Sequence, residues 1–463
     1  MGKTNTKHIV VRRELGFKYA GMEMVDFTEI LPKEIIEKIF SYLNPKDLCH
    51  LSRCSHSLRI NSNQDHLWLH HCLANGWLKY GLPFGLLDQP TGLYASVTNI
   101  SGTSPVFSYE GVGDYSTLEP VNKWKQIYMR AQHLKINWKT GRYSVAPTLR
   151  GHTDKVNAFD CNSQVIVSAG EDKTLRVWDL HTCKCINKLN VNGEPLTAVK
   201  IKGNVLVVGC YGGGIHVYDS STLQKKISFQ GHHSSIDHMA FDGNIIISVA
   251  ADRAMMVWDI KCGELKYTMR GHTDDVESFA VHGTLVATGG YDNLIMIWNT
   301  ETGQLSQRFE GHTEVINAIQ FDQKKLVSAS SDSTLRIWTI NDGLCQFILR
   351  GHMGEVFCVA YNEHVITSGG TDSCVIVWDH TGCILKVFND GHIGTVRCLH
   401  IDNEKLISGG DQKRIVIWDW KDLKILNRVH RNPNILYKLW VGDTRLITAS
   451  PEKPGLMTMI SYW

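Results

Sequence analysis

The chain has 463 residues, 43% of them hydrophobic and 20% charged, enough for a large core plus a second module. A formal net charge of +2 gives no global pull toward nucleic acid, and no apolar run approaches the ~18 residues that a membrane span needs. The 13 cysteines show no CxxC pair or framework spacing, so neither a zinc site nor a disulfide scaffold is expected.

The N-terminus lacks the apolar core of a signal peptide, so reduced thiols in cytoplasm or nucleus are the expectation. Residues 1–26 read as a tail. Its opening "MGKTNT" fits a myristoylation pattern, with Gly2 second and Thr6 at the hydroxyl position, but so short a pattern matches by chance often. The sequon Asn99-Ile-Ser101 is read as a chance match on the same grounds.

Residues 27–75 predict short helices. Ile35, Ile39 and Leu43, then Leu48 and Leu51, fall at helical spacing; Pro32 suits a helix start, and "NPKD" reads as a break and restart. So small a bundle buries little by itself and is expected to offer apolar residues to a partner. The order Leu31-Pro32, Glu34-Ile35, Ile39-Phe40, Leu43, Asp47-Leu48 and Leu67-Trp68 resembles an F-box. It departs at Ser57-Leu58, where that motif usually carries a Trp. The resemblance implies a Skp-family adaptor as partner and, through it, a cullin–RING ubiquitin ligase. The adaptor-binding residues would be Leu31, Pro32, Ile35, Ile39, Leu43, Leu48 and Leu51.

Residues 76–120 are rich in Gly, Ser and Thr, include Asp88, Glu110, Asp114 and Glu119, and read as a loop or insertion. Residues 121–142 predict a helix with Trp124, Ile127, Tyr128, Ala131 and Leu134 on one face. This segment resembles the linker helix of F-box/WD-repeat proteins, which implies a stiff spacer between adaptor and substrate.

From residue 143 to 463 the chain repeats. Gly-His recurs at 151, 231, 271, 311, 351 and 391, and Trp at 178, 258, 298, 338, 378 and 418, both in steps of 40 with one gap of 80. Strand-like stretches such as "QVIVSAGEDKTLRVWD" exclude a helical solenoid, and the period predicts an all-β propeller with one four-stranded blade per repeat. His152, Ser168, Asp172 and Trp178 stand at offsets that His312, Ser328, Asp332 and Trp338 repeat, as do three further units. The stretch resembles WD-repeat proteins, in which these four groups form a hydrogen-bonded chain inside each blade. The second unit departs at every position (Asn192, Val208, Gly212, Tyr218), and the seventh has Gln412 where Asp is expected.

Residues 435–450 align on 395–410 without a gap, which predicts an eighth unit of three strands ending in "LMTMISYW". Residues 143–150 then supply its missing outer strand. Eight blades are favoured over seven, because a seven-bladed ring leaves either this strand or the tail unpaired.

Loops before the first strand and between the second and third form the expected partner-binding face. By register that face carries Asn157, Thr197, Asp237, Glu277, Asn317, Phe357, Arg397 and Tyr437 in one ring. A second ring carries Glu171, Tyr211, Ala251, Tyr291, Ser331, Thr371, Asp411 and Ser450 or its neighbour. The candidate substrate contacts are Tyr211, Asp237, Glu277, Tyr291, Phe357, Arg397 and Tyr437, aromatic or charged at loop positions. Eight-bladed receptors of this family that read phosphorylated degrons use arginines at such positions. Arg397 alone matches here, with Lys155, Lys173, Arg253 and Lys413 nearby as a second cationic patch, so a mixed-charge, aromatic face is favoured.

No nucleophile motif, P-loop or metal spacing appears, so no cofactor and no catalysis are expected. The leading reading is a substrate-recognition subunit of an SCF-type (Skp–cullin–F-box) ubiquitin ligase. The alternative is a WD-repeat scaffold with no role in ubiquitylation.

Overall fold

The computed structural model describes residues 27–81, 122–145, 148–162, 164–180, 182–191, 193–411, 414–429, 438–449 and 455–462. It divides into a helical unit reaching Gly81 and resuming up to Met129, and a β unit from Arg130 to the C-terminus.

The helical unit holds α1 (Phe27–Ile30), α2 (Lys33–Ser41), α3 (Pro45–Leu51), α4 (His56–Ser62) and α5 (Asp65–Ala74). A 3-10 turn, Trp77–Gly81, and the first half of α6 (Lys123–Thr140) complete it. Local chemistry sets the breaks. Asn44 caps α3 by accepting the Asp47 N–H at 2.9 Å, with Pro45 at the first helical position. Ser55 caps α4 by accepting from the Leu58 N–H at 3.1 Å. Ile36, Phe40, Leu48, Leu58, Leu67 and Trp68 form the core, and buried Trp68 donates its indole N–H to the Ser62 carbonyl at 2.8 Å. Tyr128 of α6 sets its ring edge against Trp68, 5.3 Å between centroids, and packs beside Trp77. The unit therefore extends past residue 75, because Trp77 needs this pocket; residues 82–120 lie outside the described set.

The β unit consists of eight antiparallel sheets of four strand positions each. Blades one to seven each run in chain order, from Val156–Asn190 to Val396–Val429. Their middle strands, such as Val165–Gly170, are buried along almost their whole length, as strands covered on both faces must be. Shared clusters of Val, Ile, Leu and Trp stitch each of blades one to six to the next.

The eighth blade is built from Lys438–Val441, Arg445–Ala449 and Leu456–Ser461. The last of these pairs on its outer side with Ser144–Val145 and Leu149–Arg150, in registers Ser144↔Ser461 and Leu149↔Met457. The expected outer strand is thus present, as two short pieces. Blade eight packs on blade one through Leu149, Val156, Ile166, Trp178, Ile447 and Met457, which closes the ring, and its Leu456–Ser461 strand is paired on both edges. Arg445, buried here, donates to the Leu180 carbonyl at 3.2 Å across the same seam.

The C-terminal half of α6 belongs to this unit and covers the closing strand. Asn137 donates its amide to the Tyr462 carbonyl at 2.9 Å, and Trp138 donates its indole N–H to the Asp443 carbonyl at 2.9 Å. The Trp138 and Tyr462 rings stack at 3.7 Å, and the Lys405 ammonium sits 4.4 Å over Trp138. The apolar C-terminus is therefore buried: Tyr462 is 1% exposed.

Inside the blades the four-group chain is formed. In blade one His152 Nδ1 lies 2.9 Å from Asp172, His152 Nε2 lies 2.7 Å from Ser168 Oγ, and Trp178 Nε1 lies 2.8 Å from the same oxygen. Blade five matches with His312 to Asp332 at 2.7 Å, His312 to Ser328 at 2.8 Å and Trp338 to Ser328 at 2.9 Å. The carboxylate can only accept, so His Nδ1 carries the proton. Nε2 then accepts from the serine hydroxyl, which in turn accepts from the indole. Every member is satisfied without water, which is what burial demands. These histidines are committed to structure.

Blade two replaces the chain with packing. Val208 and Tyr218 are buried in the core it shares with blade one, while His216 bonds Ser228 at 2.7 Å. In blade seven His392 keeps Ser408 (2.7 Å), and Trp418 keeps it too (2.7 Å). Its Nδ1 has no partner among the described residues, and residue 412 lies outside them. Burial, then the nearby Arg414 charge, pushes the His392 pKa down to about 4.

An ordinary histidine titrates near 6.5, so the unfolded chain binds this proton first as pH falls. Stability contributed by neutral His392 is present above about pH 6.5 and lost toward about pH 4, a change on the order of 3 kcal/mol. Amide protection factors across Val396–Ile401 and Leu406–Gly410 should fall as pH is lowered between these limits, an acceleration of exchange relative to its intrinsic rate. Gln412→Asp, which restores the carboxylate of the other repeats, should suppress that acceleration. Equal exchange in both proteins at pH 5 would refute this account.

Candidate protein-binding sites

The helical unit turns one face of α2 inward and one outward. Ile36 and Phe40 are buried, while their neighbours Ile35 and Ile39 are 48% and 40% exposed. Ile30 and Tyr42, at 66% and 77%, add to this exposed apolar set. Pro32 is exposed too, and Leu31, Leu43 and Leu51 are half-buried. Leu48 departs from the sequence expectation: it is fully buried, so it holds the bundle together and offers nothing to a partner. Periodicity shows that an apolar stripe exists; which stripe faces inward depends on the packing of neighbouring helices.

The propeller's loop face divides in two. On blades one to four a cavity of about 800 Å³ is lined by residues of both predicted rings. Asn157, Thr197, Asp237 and Glu277 come from the first, and Glu171, Tyr211 and Tyr291 from the second. Asp154 and Asp275, which the register argument passed over, line it as well. Tyr211 and Tyr291 are 63% and 50% exposed. Asn157 is committed to structure, donating to the Leu196 carbonyl of the next blade at 3.0 Å. Partial withdrawal from water, then the like charges of Asp275 and Asp252, hold Asp237 above the usual carboxylate range. Glu277 is raised by the same withdrawal and by Asp237.

Phe357 and Arg397 lie on blades six and seven, outside that cavity. Arg397 makes a two-point ion pair with Asp411, at 2.8 and 3.4 Å, and its guanidinium lies 5.6 Å over the Phe357 ring. Two of the other cations are likewise matched. Lys155 is 3.9 Å from Glu171, and Arg253 is 3.5 Å from Asp274 and 3.7 Å from Asp275. Tyr437 and Lys413 lie outside the described residues. Met353, 94% exposed, and Ile393, 56%, stand where other blades carry Thr153, His233, Thr273 and Thr313, a sequence signal the aromatic-and-charge search missed.

No group of three or more His, Cys, Asp or Glu residues placed to hold a metal occurs among the described residues. No helix there is long and apolar enough to cross a membrane.

The architecture joins a capped helical bundle bearing an apolar face to a propeller bearing a loop face. Family models agree with both parts. The F-box-like model matches residues 28–74, and the WD domain, G-beta repeat model matches 144–179, 223–259, 263–299, 303–339, 343–379 and 382–419. Leu196–Asp219 of blade two and Lys438–Ser461 of blade eight fall outside these matched spans. The chain belongs to the F-box/WD-repeat family.

Among curated relatives, it is 29% identical over 178 residues to the probable E3 ubiquitin ligase complex SCF subunit sconB of Arthroderma benhamiae, covering 36% of this chain and 25% of that protein. It is 27% identical over 165 residues to F-box/WD repeat-containing protein 7 of Drosophila melanogaster, covering 35% of this chain and 11% of that one. The matched segments thus span a quarter or less of these relatives' length. Among solved structures, the computationally designed Ika8 protein superposes with a TM-score of 0.63 at 28% identity, over 68% of this chain and 98% of that one.

Proposed function

We propose that this chain is the substrate-recognition subunit of an SCF-type E3 ubiquitin ligase, acting in the cytoplasm or nucleus. In this reading the F-box binds a Skp-family adaptor, and through it a cullin–RING ligase. The propeller's loop face binds the protein to be ubiquitylated. The chain contributes positioning and no chemistry of its own; the gain comes from holding a substrate lysine near the charged ubiquitin. One observation carries the reading: Ile30, Ile35, Ile39 and Tyr42 leave an apolar face uncovered on the segment that the F-box-like model matches.

The test is reconstitution. The full chain, mixed with a Skp-family adaptor and cullin–RING components, should co-elute with them and support ubiquitin transfer to a captured protein. Failure to bind any Skp-family adaptor at micromolar concentration would leave the WD-repeat scaffold as the better reading.

A further inference from the structure

The cavity on blades one to four also indicates what kind of segment it accepts. Five carboxylates line it: Asp154, Glu171, Asp237, Asp275 and Glu277. No Lys or Arg is among the described residues that line it, and two nearby cations are already engaged, Lys155 with Glu171 and Arg253 with Asp274 and Asp275. Asp237 accepts one hydrogen bond, from the Ser235 hydroxyl at 2.9 Å. Asp237 and Glu277 line it from adjacent blades, and the Asp237 charge acts unfavourably on that of Glu277. Like charges held together in a concave, partly dehydrated surface repel one another, and an incoming cation relieves that repulsion. The exposed rings of Tyr211 and Tyr291 border the same space, and aromatic faces attract ammonium and guanidinium groups.

Resting on the substrate-receptor reading, we propose that this cavity binds a basic, unphosphorylated segment of the substrate protein through its lysine or arginine side chains. A phosphorylated segment fits poorly. It would bring about −1.5 to −2 charges into a carboxylate-lined space. At Arg397 it would have to displace Asp411 from a two-point ion pair. A bare divalent cation also fits poorly, because the carboxylates are spread over blades one, three and four and, among the described residues, do not converge in threes. A peptide that sets its cationic groups several ångströms apart matches that spread.

The test uses the full chain and three fluorescein-labelled peptides of equal length. One repeats Gly-Arg-Gly-Lys three times, one replaces each cation by Gln, and one carries two phosphoserines in the Gln background. Anisotropy should show the basic peptide binding at least about tenfold tighter than the other two. That affinity should fall about tenfold or more between roughly 50 and 300 mM salt. Combined Asp237→Asn and Glu277→Gln should weaken it about tenfold with no loss of melting temperature, while Arg397→Ala changes it less than about twofold.

Tighter binding of the phosphopeptide, or basic-peptide binding that is indifferent to the Asp237/Glu277 pair, overturns the proposal. So does complete displacement of the basic peptide by about 1 mM calcium, which would mark a metal site. Adaptor binding measured on the same preparation reports separately on the receptor reading. A chain that holds its adaptor and ignores basic peptides refutes the cavity assignment alone.

Discussion

Deleting residues 456–463 should destroy the folded propeller and leave the helical unit competent. Leu456–Ser461 is the third strand of blade eight, and both of its edges are used. One edge pairs with Arg445–Ala449, the other with Ser144–Val145 and Leu149–Arg150. Its removal strips two ladders at once and leaves three unpaired edges. The strand and the residue after it also bury Met457, Met459, Ile460 and Tyr462, none more than 2% exposed.

Emptying one such site costs about 2–5 kcal/mol, and a whole domain is stable by only about 5–15 kcal/mol. Four sites and two ladders exceed that margin. The truncated chain should lose its cooperative thermal transition and its substrate binding. Capture of a Skp-family adaptor should stay within about twofold of the full chain, since α1–α5 and the Lys123–Met129 part of α6 are untouched. The milder Tyr462→Ala should cost about 3–5 kcal/mol, because it removes the ring stacked on Trp138. A truncated chain with an unchanged melting temperature and unchanged substrate binding would refute the closure.

The closing seam was readable before any coordinates because it is written in register. The 40-residue step carries residues 435–450 onto 395–410, and strand 143–150 has no other blade to join. The His–Ser–Trp chain was readable for a related reason: four polar groups that must satisfy one another in a dry blade recur at fixed offsets from repeat to repeat. What lies over the seam was not readable. Trp138 and Tyr462 stack although they sit at opposite ends of the β unit, and no local pattern pairs them.

The loop face shows the same limit. Register placed Asp237, Glu277, Tyr211 and Tyr291 on one face, where the structure gathers them around one cavity. It could not say that Arg397 is closed off by Asp411, since a loop side chain's direction depends on its neighbours. Leu48 repeats the lesson in the helices.

The second large effect should appear at α2. Ile35→Glu combined with Ile39→Glu should reduce affinity for a Skp-family adaptor by more than about 100-fold, because two central apolar anchors are typically worth about 2 kcal/mol or more each. Both side chains already face solvent, so the substitutions should change the stability of the free chain by no more than about 0.5 kcal/mol each. Leu48→Ala is the contrasting variant. It should destabilise the helical unit by about 2–5 kcal/mol and should lower adaptor affinity only as far as α3 is lost from its place. Titration calorimetry with the purified adaptor, alongside circular dichroism, separates the two. If the double Glu variant binds normally while Leu48→Ala does not, the interface lies on another face of the bundle, and Ile35 and Ile39 are ordinary surface residues.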